Sequence, residues 1–135
     1  VTFRGWQPNL MEMLGQFDLF CLPSNEEPFG LVIGETMRHG IPMVATQTDG
    51  PMDVLGHDGM TKENTLAAGG LLVTTGDAQA MADAIAFFAA DRKALVAAGQ
   101  AAQKRMASAF SMSALAHRLD LLITTISQPP AAERS

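Results

Sequence analysis

Two short apolar segments joined by a stretch with helical periodicity constrain the fold of this chain more than any other feature. Residues 19–22 form an uninterrupted apolar run, and residues 43–45 form a second one. Between them the sequence predicts a helix that begins at Gly30 or Leu31 and ends at Gly40. Continuous apolar strands are covered on both faces, which is typical of parallel sheets. The segment therefore predicts a strand, helix, strand unit of a parallel sheet.

The predicted helix has an apolar face that would pack on the sheet, formed by Val32, Ile33, Thr36 and Met37. Glu35 lies outside that stripe, on a flank shared with Leu31 and Arg38. It can therefore point along the sheet edge toward the preceding loop. The alternative is an exposed pair with Arg38 or His39, which would contribute only a few tenths of a kcal/mol.

The rest of the chain continues the alternation of strands and helices. Strands are expected at residues 1–5 and 70–73, and a short amphipathic helix is expected after Pro8. Three later helices are predicted to begin at the caps Asp77, Asp91 and Ser111. Their predicted inner stripes are Ala78, Met81, Ile85 and Phe88, then Leu95, Ala98, Ala102 and Met106, then Leu115, Leu119, Leu122 and Ile126. The fold class is α/β: a Rossmann-like, doubly wound parallel sheet with a helical C-terminal third.

One domain is expected at residues 1–127, truncated at its N-terminus because about four strands are few for such a sheet. Residues 56–64 are expected to be a mobile surface segment with a turn at Asp58 and Gly59. The polar, Pro-rich residues 128–135 are expected to be a disordered tail.

Composition excludes several classes of protein. No uncharged apolar run approaches the roughly 18 residues of a membrane span, and the net charge of −5 argues against broad nucleic-acid binding. We expect a cytoplasmic protein, with peripheral attachment to the inner membrane face as an open alternative. Cys21 is the only cysteine, which excludes an intrachain disulfide, and it is expected to be a buried, inert thiol. His39, His57 and His117 stand far apart and lack metal-site spacing, so they are expected to be surface or partly packed histidines, and no metal is expected.

The candidate site is the turn that contains Glu27, Gly30 and Glu35, since ligands of open parallel sheets bind at the carboxyl ends of strands. Gly30 allows the backbone to approach a ligand closely. Asp49 and Asp53 lie near the same edge and could receive hydroxyl groups, although turn formation or helix capping is the commoner role of Asp. Trp6 is expected to pack on a helix, with stacking on a flat base or sugar as the alternative.

The segment from Pro23 to Thr46 resembles the donor-site signature of the group 1 retaining glycosyltransferases of GT-B fold, family four-like, P-S-x-x-E-x-F-G-L-x-x-x-E-A-M-x-x-G-x-P-V-V-A-T. Residues 1–5 resemble the family's V-x-F-x-G strand, and residues 49–54 resemble its G-G-P-x-E/D-I/V loop. The resemblance covers nearly the whole chain apart from the tail and residues 56–69.

The resemblance implies a role for each matched residue. Glu27 would be the catalytic residue that holds the hydroxyls of the transferred sugar, acting by position and charge and not as a base. Glu35 would bind the ribose hydroxyls of the nucleotide. Phe29, Gly30 and Leu31 would offer backbone N–H groups to the sugar and diphosphate, in agreement with the anion preference of helix N-termini.

The chain departs from the family pattern at several positions. Arg38 stands where a small residue is usual, Asp49 replaces the first glycine of the G-G pair, and Asp53 shortens the usual glutamate. The family's G-R-x-x-x-K-G segment, whose cations neutralise the diphosphate, does not occur in this sequence.

The resulting hypothesis is that the chain is the donor-binding, C-terminal part of a retaining hexosyltransferase and that this part alone is inactive. The donor would be a UDP-, GDP- or ADP-sugar, with no cofactor. The acceptor would be a sugar, glycan or lipid hydroxyl, bound through an N-terminal domain that the chain lacks. The alternatives are a non-catalytic binding module that forms homodimers through an exposed sheet edge, or a related GT-B epimerase or phosphorylase.

Overall fold

The computed structural model describes residues 1–56 and 65–127 of the chain. Its helices are α1 (Leu10–Leu14), α2 (Leu31–Arg38), α3 (Asp49–Leu55), α4 (Ala78–Ala90), α5 (Arg92–Ala109) and α6 (Met112–Ser127). Its strands are β1 (Phe20–Leu22), β2 (Met43–Thr46), β3 (Thr65–Ala67) and β4 (Gly70–Val73). The expected mobile segment, with its turn at Asp58 and Gly59, and the expected tail fall mainly or wholly outside the described residues.

The strands form one sheet in the order β1-β2-β4-β3. β1 pairs with β2 and β2 pairs with β4 in parallel, while β3 pairs with β4 as an antiparallel hairpin. The Rossmann-like α/β class predicted from the sequence is confirmed, with a mixed sheet in place of a purely parallel one. β3 was not predicted because three residues carry no periodicity that separates a strand from a loop.

The sheet lies between two apolar layers because successive side chains of a strand point to opposite faces. On one face, Met43 and Ala45 of β2 pack with Ile33 and Met37 of α2 and with Leu55 of α3. On the opposite face, β2 and β4 pack against α4 and α5. The buried side chains there are those of Val44, Val73, Ala84, Phe88, Leu95 and Ala98. Each fully buried large apolar side chain of this kind contributes about 1.5–3 kcal/mol.

The predicted inner face of α2 is confirmed, since Ile33, Thr36 and Met37 are fully buried. The caps are also confirmed: Asp77 accepts from the Ala80 amide, and Asp91 accepts from the amides of Lys93 and Ala94. The Oγ of Ser111 accepts from the Ala114 amide, as predicted for the last helix.

Two predicted helix faces are wrong, that of α4 in part and that of α6 along its whole length. In α4 the buried residues are Ala84 and Phe88, whereas Ile85 is exposed. The face that packs on the sheet therefore passes through Ala84 and not through the adjacent Ile85. In α6 the predicted stripe is exposed along its length, from Leu115 to Ile126. Periodicity identifies a helix, but its apolar stripe is buried only where another element packs on it.

Three predictions for the first 21 residues are wrong. Residues 1–5 form no strand and are exposed, because a strand needs a neighbour and neither edge of the described sheet pairs with this segment. Trp6 packs on no helix and is 86% exposed. Cys21 is exposed because β1 is an edge strand, although partial burial raises the pKa of its thiol.

Within the described ranges, no helix is both long enough and apolar enough to span a membrane.

Candidate functional site

A cleft of about 520 Å³ opens at the carboxyl ends of the parallel strands, and we call it the polar cleft. Its walls come from the segments that follow β1, β2 and β4. They comprise Asn25, Glu26, Glu27, Pro28, Gln47, Thr48, Asp49, Thr74 and Thr75. This position agrees with the rule that placed the candidate site at this edge of the sheet.

Side-chain and backbone hydrogen bonds hold these three segments together. The Thr46 hydroxyl donates to the Ser24 carbonyl at 2.6 Å, which joins the end of β2 to the segment after β1. The Thr75 hydroxyl donates to the Gln47 carbonyl at 3.1 Å, which joins the segments after β4 and β2. The cleft is therefore built on fixed strand ends.

Two glycines, Gly30 and Gly50, shape the turn between β1 and α2 and its contact with α3. The Gly50 amide donates to the Glu27 carbonyl at 2.8 Å. A Cβ at Gly50 would lie 2.7 Å from the carbonyl carbon and oxygen of Phe29, so only glycine fits without a backbone shift. Gly30 has a φ of +72°, the left-handed region that favours glycine, and it is the N-cap of α2. A Cβ at Gly30 would meet the Ile33 side chain of the protein itself, and the predicted close approach of this turn to a ligand stays a prediction.

A second cleft, of about 200 Å³, lies on the other side of the Phe29–Gly30 turn, and we call it the apolar cleft. It is bounded by the start and flank of α2, by α3 and by the end of α5. Its lining residues are Phe29, Gly30, Leu31, Gly34, Glu35, Arg38, Val54, Met106 and Phe110.

Arg105 fixes the far wall of the apolar cleft. Its Nε donates to the Val54 carbonyl at 2.7 Å and its Nη2 donates to the Asp53 carbonyl at 3.0 Å. The guanidinium also lies 5.8 Å from the centre of the Phe110 ring. A cation at the last carbonyls of α3 is favourable, since helix C-termini carry partial negative charge.

The predicted site residues are divided between the two clefts. Glu27 is half-buried and lines the polar cleft, whereas Glu35 is half-buried and lines the apolar cleft with Phe29, Gly30 and Leu31. The two glutamates therefore share no cleft, although eight positions separate them in the sequence. As predicted, Glu35 lies outside the buried stripe of α2.

The alternative role of Glu35, an ion pair with Arg38 or His39, is not seen in the described part of the chain, where the Arg92–Asp18 pair is the one present. His39 bonds instead to the Glu35 backbone, with its Nδ1 2.9 Å from the carbonyl oxygen. The Glu35 carboxylate thus has no charged protein partner among the described residues.

Asp49 and Asp53 also differ in position. Asp49 is exposed and lines the polar cleft from the first turn of α3, so it is neither the cap nor a turn residue. Asp53 lies in the same helix and does not line either cleft. Only Gln47 and Thr48 separate the end of β2 from the start of α3.

The charges of the two clefts are different. Three carboxylates line the polar cleft, from Glu26, Glu27 and Asp49, and no Lys or Arg is among its described lining residues. An anion would be repelled there, whereas a neutral ligand with many hydroxyls would find carboxylate and amide acceptors. The apolar cleft has Phe, Leu and Met side chains around one carboxylate and one guanidinium, which suits a flat ring with hydroxyls attached.

Sequence reasoning did not name several polar residues of the site. Asn25, Gln47, Thr48, Thr74 and Thr75 line the polar cleft. Each follows a strand that was predicted correctly, so applying the strand-end rule to all three strands would have found them.

His39 and His117 are exposed, as predicted, and His57 lies outside the described residues. In the ranges 1–56 and 65–127, no three His, Cys, Asp or Glu side chains converge as a metal-ion cluster.

Comparison with known proteins gives one matching family description. Residues 1–105 match the family model described as "Glycosyl transferases group 1". Among curated proteins, the lipopolysaccharide core biosynthesis glycosyltransferase LpsE of Rhizobium meliloti (strain 1021) is 34% identical over 115 residues, which are 85% of this chain and 31% of that protein. A probable sucrose-phosphate synthase of Solanum tuberosum is 39% identical over 75 residues, 56% of this chain and 6% of that protein.

Solved structures with the same fold include Anabaena Alr3699/HepE in complex with UDP. It superimposes with a TM-score of 0.74 at 25% identity, over 93% of this chain and 32% of that chain. The same protein in complex with UDP-glucose gives a TM-score of 0.68. The chain thus spans about a third of the length of LpsE and of HepE.

Proposed function

The chain belongs to the glycosyl transferases group 1 family, and from that membership we propose that it binds the nucleotide-sugar donor of a retaining, family four-like hexosyltransferase. The domain that does this is residues 1–127. The observation that carries the proposal is the pair of clefts on either side of the Phe29–Gly30 turn, one suited to a sugar and the other to a nucleoside.

The polar cleft is proposed to hold the transferred hexose, with Glu27 as the catalytic residue. A carboxylate accepts hydrogen bonds from hydroxyl groups, and charge-assisted bonds of this kind are stronger than neutral ones. The Gly50 amide donates to the Glu27 carbonyl at 2.8 Å, which fixes the backbone from which the Glu27 side chain extends. Glu27 would thus position the sugar and stabilise positive charge that develops on its ring.

The nucleotide is proposed to lie across the turn toward the apolar cleft. Backbone N–H groups of Phe29, Gly30 and Leu31 would bind the sugar and the diphosphate, at the N-terminus of an eight-residue helix. Glu35 would accept hydrogen bonds from the ribose hydroxyls. Its carboxylate has no charged protein partner in the described part of the chain, which leaves it available for this role.

The proposed reaction retains the configuration of the transferred sugar. The acceptor hydroxyl attacks the anomeric carbon on the face from which the diphosphate departs. The new carbon–oxygen bond forms as the bond to phosphate breaks, and the departing phosphate oxygen takes the acceptor's proton. Glu27 acts by position and charge, not as the base, and no metal or cofactor is assigned to this part of the protein.

A UDP-sugar is the first donor to test, because the structural relative HepE is known in complex with UDP and with UDP-glucose. GDP- and ADP-sugars remain alternatives. We propose that the acceptor, a sugar, glycan or lipid hydroxyl, binds outside this chain, since the relatives LpsE and HepE are about three times longer.

Titration of the isotopically labelled chain with UDP, GDP and ADP tests the proposal. The preferred nucleotide is expected to shift the backbone amide signals of Gly30 and Glu35 in a saturable way. Sodium chloride at matched ionic strength serves as the control for non-specific effects. If none of the three nucleotides shifts these amide signals at millimolar concentration, the donor-binding function is wrong.

A further inference from the structure

Thr48 carries a buried hydroxyl without a hydrogen-bond partner. The residue is one of those that line the polar cleft, it is 7% exposed, and its Oγ1 makes no hydrogen bond within the described structure. Two other buried threonines of the described structure are satisfied: Thr36 donates to the Val32 carbonyl and Thr46 donates to the Ser24 carbonyl, both at 2.6 Å. An orphan buried hydroxyl in a folded protein requires an explanation, since most such groups are paired.

Helix capping does not explain this hydroxyl. Thr48 is the N-cap of α3, where a threonine oxygen normally accepts from the amide of the second or third helical residue. The second residue is Gly50, whose amide donates to the Glu27 carbonyl. The third is Pro51, which has no N–H group. The local sequence therefore removes both capping donors and leaves the hydroxyl unused.

The surroundings of Thr48 indicate the chemistry of its missing partner. Glu27, Asp49 and Thr75 line the same cleft, and its described lining residues include no Lys or Arg. This set attracts a neutral molecule with hydroxyl groups and repels phosphate. A threonine has one side-chain torsion that exchanges its hydroxyl and methyl positions, so a single rotation reorients the oxygen when a ligand arrives.

We propose that the Thr48 hydroxyl hydrogen-bonds a hydroxyl group of the transferred sugar and helps to select that sugar. This inference rests on the proposed function of the chain, and it adds a specificity-determining residue from the opposite wall of the cleft to Glu27. The partner is the neutral sugar and not the diphosphate, because carboxylates flank the position.

The test compares the wild-type chain with Thr48→Val, which keeps the shape of the side chain and removes the hydroxyl, and with Thr48→Ser as the matched control. The ligands are the nucleotide sugar that the wild type binds most tightly, among UDP-glucose, UDP-galactose, GDP-mannose and ADP-glucose, and the corresponding nucleoside diphosphate. Dissociation constants are measured by calorimetry or amide shifts, and melting temperatures are measured without ligand.

In Thr48→Val, the Kd of the nucleotide sugar is expected to rise about 5- to 10-fold, the loss of one buried hydrogen bond, while the Kd of the nucleoside diphosphate stays unchanged. Thr48→Ser is expected to recover most of the sugar affinity. The melting temperature of ligand-free Thr48→Val is expected to rise by about 2–5 °C, because the orphan hydroxyl is removed.

The outcomes separate the two levels of the proposal. The role of Thr48 is wrong if Thr48→Val binds the nucleotide sugar as tightly as the wild type does. It is also wrong if the variant loses the same factor of affinity for the nucleoside diphosphate as for the nucleotide sugar. In both cases the proposed function stands. A lower melting temperature in Thr48→Val would also overturn the inference, because it would reveal a structural partner for the hydroxyl. If the wild type binds none of the ligands, the proposed function fails and this inference fails with it.

Discussion

The polar cleft and the apolar cleft lie on either side of one turn, yet they offer a ligand different chemistry. The polar cleft has three carboxylates and five neutral hydrogen-bonding side chains. The apolar cleft is smaller, about 200 Å³ against about 520 Å³, and places one carboxylate among Phe29, Leu31, Met106 and Phe110. This contrast supports our proposal that Glu27 and Glu35 serve different parts of one ligand.

The division follows from which wall of the turn each glutamate occupies. Glu27 belongs to the irregular segment after β1, so it faces the strand ends. Glu35 lies one turn into α2 on the flank next to α3 and α5. We therefore expect changes at Glu27 to affect sugar recognition, changes at Glu35 to affect nucleoside recognition, and changes to the turn between them to affect both.

The largest effect is expected from Gly50→Ala, which disturbs both clefts together. Its Cβ would lie 2.7 Å from the Phe29 carbonyl group, so the turn must move. We expect a loss of nucleotide-sugar affinity greater than about 100-fold and a decrease of about 1–3 kcal/mol in the free energy of unfolding, typical of overpacking. Calorimetric titration and urea denaturation measure the two quantities.

Gly15→Ala is the matched control for that variant, since a Cβ at Gly15 meets no atom within 4 Å and its φ is −61°. It should leave affinity unchanged. Wild-type affinity in Gly50→Ala would show that the turn is not the shared support of the two clefts.

A smaller and more selective effect is expected from Glu27→Gln. The variant keeps the size of the side chain but removes its charge, which weakens hydrogen bonds to sugar hydroxyls. The Kd of the nucleotide sugar should rise about 10- to 100-fold, while the Kd of the nucleoside diphosphate should not change. Glu26→Gln is the control, because Glu26 lines the same cleft and is exposed, whereas Glu27 is half-buried. An equal loss for both ligands would place Glu27 in nucleotide binding instead.

The smallest effect is expected from Glu35→Gln, because the apolar side chains around Glu35 contribute to nucleoside binding and are unchanged in the variant. Affinity for UDP and for the UDP-sugar should fall by the same factor, about 3- to 10-fold. The wild type should bind UDP more tightly than 2′-deoxy-UDP, and the variant should bind both equally. A preserved preference for the ribose 2′-hydroxyl in the variant would exclude Glu35 as its partner.

The sequence predicts well the parts of this fold whose pattern is local. Residues 19–22, the α2 face and the caps Asp77, Asp91 and Ser111 were all found, since a buried strand, an apolar stripe and a capping side chain leave signals within a few residues. Residues 1–5 and the stripe of α6 were predicted wrongly because pairing and burial depend on a partner element, and a local pattern does not supply one.

The site shows the same limit. The strand-end rule located Glu27 and the turn, but it did not indicate that Glu27 and Glu35 line two separate clefts. The Thr48 hydroxyl is unpaired because the Gly50 amide donates to the Glu27 carbonyl and because Pro51 has no N–H group. Such a contact between distant segments has no signature in the sequence around Thr48.

The most direct test of the division between the clefts is a difference map of backbone amide shifts. One sample of the labelled chain is saturated with UDP, and a second sample is saturated with UDP-glucose or the preferred nucleotide sugar. UDP should shift the amides of Gly34, Glu35 and Arg38, and the added sugar should further shift those of Gln47, Thr48 and Thr75. Sugar-dependent shifts confined to the residues around Glu35, with none at the polar cleft, would contradict the account.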